Sequence, residues 1–578
     1  MKGSSGWPGP SASSVDGSGD ERQETGCAIN REVGAARAQE YRATMKRCFV
    51  FVGLPLLATI LIGAGNPPRR GGAYHYTLGP SDPPSLDPVH ITDTVSHAVA
   101  SELFDGLVAF DHALKIRPAI ARRWVISKDG RTYTFELHPD VKFHNGRTVT
   151  AEDFRFSFEH LLNPKTRSER TWILEKILGA GKFMAGEATS VRGIQVLGPH
   201  TLELTLERPF APFLALLAYP AASVVPREAV ERWGRQFSSH PIGTGPFRFR
   251  EWRHDDRVVV EANRDYFQGS PYLDQIVFRV IPDAMTRFQE FKAGNLDHTD
   301  IPTGLFRVIQ NDPSLSSMLA AHSSMGINAI QFNLEKSPFR GNRKLRQAFN
   351  YAVDKAAIAQ VILEGRVLPA RSVLPPGLLG HDSELHGYPY DKEKARRLLA
   401  EAGYERGRGL PAVTLYYNTG LVNRTIAEFV QGTLRRIGVM IALRELDWPA
   451  YLNLVDRGEA QLFRLGWLAD YPDPENFLTV LFHSRNVGSK GNLSRYANPR
   501  VDALLDRADE SLDTAERARL YHEAEKIILA DAPWIFLHYY STDVLIQPWV
   551  KGLREQISAM DSAPTLGMVR MRTVWLDK

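Results

Sequence analysis

Residues 48–65, CFVFVGLPLLATILIGAG, are almost wholly apolar and follow the short basic stretch Met45-Lys46-Arg47. A basic start, an apolar run and small residues at its end (Gly63, Gly65) form the pattern of a secretory signal peptide. The rest of the chain is then expected to fold outside the cytoplasm. Pro55 and the small-residue end favour cleavage near Gly65. An uncleaved membrane anchor is the rival reading, because an apolar run of about 18 residues nearly spans a bilayer. Cys48 opens the run rather than closing it, which argues against a lipoprotein site. Residues 1–44 are polar, with five Gly and six Ser in the first 20. They cannot bury enough apolar surface to offset ordering entropy and are predicted to be disordered, with Met45 the better translation start. Cys27 and Cys48 are the only cysteines, and both precede the expected cleavage point. The exported part must therefore be held by apolar cores, without a disulfide, thiolate metal site or cysteine nucleophile. A chain of 578 residues is too long for one core, so at least two domains are expected, and three suit the length.

After Pro67-Pro68, the order of elements suggests an α/β protein. Tyr74, Tyr76 and Leu78 alternate as on a half-buried strand, as do Tyr133, Phe135 and Leu137, and Leu202, Leu204 and Leu206. Val95–Leu107 fits a helix. Thr150-Ala-Glu-Asp153 opens another helix with a capping-box acid, stapled by Val149 and Phe154 and ended by Asn163-Pro164. Val258–Val260 and Ile276–Ile281 read as buried strands. In the second half, the helix Asp391–Ala402 precedes a strand–helix–strand run, Val413–Tyr417, Ile426–Ile437 and Val439–Leu443, which predicts a parallel sheet. Asp513 caps a long helix ended by Pro533, and a strand follows from Trp534 to Tyr540.

Several chemistries are excluded. The formal charge is only +4 with no dense basic stripe, so nucleic acid is not an expected partner. No G-x-S-x-G elbow or H-E-x-x-H helix occurs, and the 17 His show no ligand spacing. No enzyme activity, metal or cofactor is therefore expected. Gly243-Thr-Gly-Pro-Phe247 lacks a third glycine and any Gly-Lys-Ser/Thr, so it reads as a turn and not a phosphate loop. Asp153, Asp297 and Asp300 read as caps or solvated charges.

The stretch Gly466–Leu478, GWLADYPDPENFL, places Asp470 between Trp467 and Tyr471, with Arg464 just upstream. Pro472 and Pro474 stop a regular helix or central strand there. A loop with an acid and a base walled by rings could hold a ligand carrying both charges. The bland reading is that Asp470 caps a turn before Pro472 and that Arg464 bridges a surface acid.

Taken together, Ser85-Leu-Asp-Pro88, Leu103-Phe-Asp-Gly106, Phe143-His-Asn-Gly146, Gly243–Phe247, Arg343-Lys-Leu-Arg-Gln-Ala348 and Pro548-Trp-Val-Lys-Gly552 carry a resemblance. From Gly72 to about Arg572 the chain resembles the extracytoplasmic solute-binding proteins of ABC importers, in the oligopeptide/dipeptide/nickel-binding family. That implies a two-lobed periplasmic-binding-protein-like fold of type II, in its large three-domain variant. Mixed sheets would be flanked by helices, with a hinge between the lobes. The implied division gives lobe I a binding domain of residues 72–108, 190–283 and 541–578 and an extra domain of 109–189, with lobe II at 284–540. The implied function is capture of short peptides between closing lobes and delivery to a membrane permease and its ATPase, by a periplasmic monomer. Within that resemblance, Asp470 pairs with the peptide ammonium, Arg464 with the carboxylate of a short peptide, and Trp467 and Tyr471 wall the site. Thr92 and Thr94 fall where the family offers backbone pairing. The chain departs from the oligopeptide pattern at Glu169-Arg170-Thr171-Trp172, where a pocket tyrosine is expected. The same fold with a nickel chelate, haem, opine or sugar as cargo is the alternative. An exported hydrolase and a signalling or chaperone-like peptide receptor are the other classes.

Overall fold

Alternating burial places the early strands where the sequence predicts them. The computed structural model describes residues 67–79, 81–111, 113–559 and 569–578; the expected N-terminal extension and signal segment lie outside these. Tyr74 and Leu78 turn inward on Ala73–Gly79. This strand pairs in parallel with Gln275–Val280, which continues antiparallel through Arg257–Ala262 to Phe247–Arg253. The helix Thr94–Leu103 packs on this first sheet. It stops four residues short of the expected end because Phe104 turns extended and Asp105 is buried, accepting hydrogen bonds from Thr244 Oγ1 (3.1 Å) and Tyr266 (3.0 Å). The Gly243–Phe247 turn rests on that helix end, and the Gly245 N–H donates to the Leu103 carbonyl at 2.9 Å. A Cβ at Gly243 would collide with the Leu103 carbonyl oxygen, and one at Gly245 with that of Glu102. These glycines serve close backbone approach, as expected of a structural turn.

The second sheet is antiparallel, in the order Ala121–Ile126, Thr132–Leu137, Thr201–Thr205, Ile194–Gly198. Tyr133, Phe135, Leu202 and Leu204 share its core with Phe154 and Phe158 of the helix Ala151–Leu162. That helix begins with the expected box: the Asp153 carboxylate accepts from the Thr150 N–H at 2.8 Å.

The third sheet has six strands, ordered His298–Asp300, Trp534–Ile546, Leu319–Phe332, Leu462–Leu468, Val413–Asn418, Ile441–Leu446. Val413 lies opposite Ile441 in a parallel pair, as the strand–helix–strand pattern requires. Helices cover both faces. Trp534 and Phe536 face a core with Tyr521 and Ile528, whereas Ile535 and Leu537 face one with Phe349 and Leu434. Burial on both faces explains the unbroken apolar run at 534–537. Asp513 caps its helix as expected, accepting from the Ala515 and Glu516 N–H groups. Asp297, expected to be a cap or a solvated charge, is instead fully buried, accepting from the His75 N–H (2.7 Å) and Trp549 Nε1 (2.6 Å).

Residues 194–205, given by the expected division to the binding domain, complete the second sheet. The strand Trp534–Ile546 crosses the expected edge at 540/541 as a single element. Among the described residues no helix is long and apolar enough to cross a membrane.

Candidate ligand-binding cleft

The stretch Gly466–Leu478 is built as strand, tight loop and helix. Gly466 and Trp467 belong to the central strand Leu462–Leu468, with Trp467 opposite Ile327 and Arg464 opposite Ile330. The chain leaves the sheet at Ala469, and Pro474 is the N-cap of the helix Glu475–Phe482. The prolines thus separate two regular elements; the whole stretch is not a loop, as its composition suggested.

One side chain organises the turn. Asn476 is 1% exposed, and its Oδ1 accepts from Trp467 Nε1 at 2.9 Å and from the Asp470 N–H at 3.1 Å. Below it, Asp473 is buried and accepts from Arg517 Nη2 at 2.8 and 2.9 Å. The Tyr471 hydroxyl donates to Glu475. Sequence reasoning missed Asn476, whose only signal is its place on the first turn of a helix facing back to the loop.

Asp470 is half-buried and makes no ion pair with any described residue. Burial pushes its carboxyl above the usual range, opposed by the nearby Arg170 guanidinium and the Asn476 amide. It lines a cavity of about 580 Å³ together with Trp467, Tyr471, Arg170, Trp172 and Phe210. The Trp172 and Tyr471 rings, both lining it, stack on each other with 6.1 Å between centroids. A smaller cavity of about 50 Å³ also opens on Asp470 and reaches His97 and Tyr219.

The remaining candidates stand apart. Arg464 lines neither cavity; its Nε is buried without a hydrogen-bond partner, and no carboxylate pairs with it among the described residues. Burial pulls its pKa down. Thr92 and Thr94 are exposed and line neither cavity; Thr94 opens the helix that Asp93 caps. In the stretch 169–172, where a pocket tyrosine was expected, Arg170 Nε donates to the Ile91 carbonyl at 2.9 Å, and its guanidinium lies 5.6 Å from the Tyr219 ring centroid.

The family model described as bacterial extracellular solute-binding proteins, family 5 Middle, matches residues 115–489. The chain belongs to that family. Heme-binding protein A of Haemophilus influenzae is 33% identical over 485 residues, covering 80% of this chain and 86% of that protein. The glutathione-binding protein GsiB of Pectobacterium atrosepticum is 34% identical over 463 residues, covering 78% and 86%. Among solved structures, the ABC transporter-associated periplasmic binding protein DppA from Helicobacter pylori, in complex with the peptide STSA, superposes with a TM-score of 0.73. It is 28% identical, and the match covers 88% of this chain and 99% of that one. This family 5 chain therefore has the multi-sheet α/β fold of the periplasmic binding proteins, and its relatives are solute-binding components of ABC importers.

Proposed function

We propose that this chain is the exported receptor of an ABC importer for short peptides. A peptide would be engulfed between two lobes closing about a hinge and then handed to the permease and its ATPase, without covalent chemistry. The observation that carries the reading is Asp470: a half-buried carboxylate on the wall of a 580 Å³ cavity, braced by Asn476 and lacking an ion-pair partner. A peptide read by main-chain hydrogen bonds is bound independently of sequence, and its terminal ammonium then needs an acid. An unpaired buried ammonium would cost about 3–5 kcal/mol. Trp467, Tyr471 and Trp172 would wall the first side chain. Arg464 and the exposed Thr92–Thr94 stretch line neither cavity, so they would meet the ligand's carboxylate and main chain only once the lobes had closed.

In the same reading the chain is monomeric, non-enzymatic and periplasmic, with its signal segment removed near Gly65. The three-domain division is kept, with residues 194–205 moved to the extra domain because they complete its sheet. The test is calorimetric titration of the processed protein with a free tripeptide and its N-acetylated form. Free peptide should bind and the acetylated form should bind far more weakly, with Asp470→Ala losing a similar amount. Equal binding of the two forms overturns the anchor assignment.

A further inference from the structure

We propose that Arg170 is a specificity-determining residue that selects peptides carrying a carboxylate beside the ammonium received by Asp470. The inference rests on the peptide-binding reading above. Arg170 and Asp470 line the same cavity. The Ile91 carbonyl and the Tyr219 ring hold the Arg170 side chain from behind. Its two terminal nitrogens make no hydrogen bond or ion pair with any described residue. Asp470 likewise has no ion-pair partner, although Arg170 is close enough for its field to oppose the upward shift of the Asp470 carboxyl. Among the charged side chains that line this cavity, which include Glu169, Glu175, Lys176, Glu475, Arg485 and Lys490, Asp470 and Arg170 form no ion pair with each other or with any described residue.

A lone ammonium drawn to Asp470 enters the repulsive field of Arg170, and lobe closure strips water from a guanidinium that gains nothing in return. A ligand bringing its own carboxylate relieves both. The planar fork of Arg matches a carboxylate with two parallel hydrogen bonds, which adds geometric specificity that Lys lacks. The chemistry selected is an N-terminal residue bearing both charges. A γ-linked glutamyl peptide carries them on one carbon, and an α-linked glutamyl peptide carries the acid on its side chain.

The experiment titrates the processed full-length protein with γ-Glu-Ala-Gly, α-Glu-Ala-Gly and the neutral α-Gln-Ala-Gly. At least one acidic peptide should bind about tenfold or more tightly than the Gln peptide. The tighter acidic peptide identifies which carbon bears the recognised carboxylate. Arg170→Gln should erase that preference, weakening the acidic peptides relative to the Gln peptide, and Arg170→Lys should restore part of it. Equal affinity for all three peptides, or a preference that survives Arg170→Gln, overturns the proposal. If the Gln peptide binds in an Asp470-dependent way without any acid preference, the peptide reading stands and only the role of Arg170 falls. If none of the three binds, both fall.

Discussion

Replacing Asn476 by Ala separates positioning from contact in the cleft. Asn476 Oδ1 accepts from Trp467 Nε1 and the Asp470 N–H. Truncation leaves these two donors without their acceptor, at about 1–3 kcal/mol each, so it should cost the fold about 2–6 kcal/mol. The effect on binding is smaller, because only the backbone at Asp470 must then be ordered during capture. Fixing one residue costs about 1–2 kcal/mol, which corresponds to a roughly fivefold to thirtyfold weaker Kd. Calorimetric titration with a free tripeptide and its N-acetylated form reads this directly, alongside thermal melts. Affinity should fall by that factor while the preference for the free amine survives, since Asp470 is still present. An unchanged Kd with a lowered Tm would mean that Asn476 only supports the fold, and the positioning argument would fail.

Three further outcomes are expected. Glu525 is fully buried, accepts from the Leu374 N–H at 2.8 Å with Oε1, and has no partner for Oε2; burial raises its pKa from 4.5 to about 7. A raised acid pKa means that stability is present below pH 4.5 and lost as pH rises through 7. Glu525→Gln should therefore match the parent in acid but exceed it by about 3 kcal/mol at pH 8, at 1.36 kcal/mol per pH unit; urea melts giving the same difference at both pH values would refute this. Arg517→Met strands the buried Asp473 carboxylate and should destabilise by about 3–5 kcal/mol, with Asp473→Asn added in the same chain recovering most of the loss in denaturant titration. Gly245→Ala forces a Cβ onto the Glu102 carbonyl and should cost about 1–3 kcal/mol in thermal melts; a wild-type Tm would show that the turn can shift away.

Local chemistry was legible, whereas distant pairing was not. The Thr150 and Asp513 caps and the strand at 73–79 depend on neighbours within a few residues, which a single sequence displays. The parallel pairing of 413–418 with 441–446 was legible because a short crossover helix links them. The central strand Leu319–Phe332 escaped notice. Its polar interruptions mask the periodicity, and its partners at 462–468 and 534–546 lie far along the chain. In the cleft, Asp470 between aromatic rings was visible as chemistry. Asn476 was not, because a buried amide reads as nothing until the turn it braces is known. Arg170 was noticed only as a departure, and its placement in one cavity with Asp470 depends on packing between segments that share no local pattern.

The first core of the molecule joins residues from both ends of the described chain. Tyr74 and Leu78 pack in one cluster with Val550, Leu553, Val574 and Leu576. A nascent chain cannot complete that core until its last residues have been made, so this part has very high contact order and forms late. The second sheet, by contrast, is assembled from residues 121–205 alone and can form early. Synthesis thus leaves the first core incomplete until residues 550–576 are made, whereas the second sheet needs none of them.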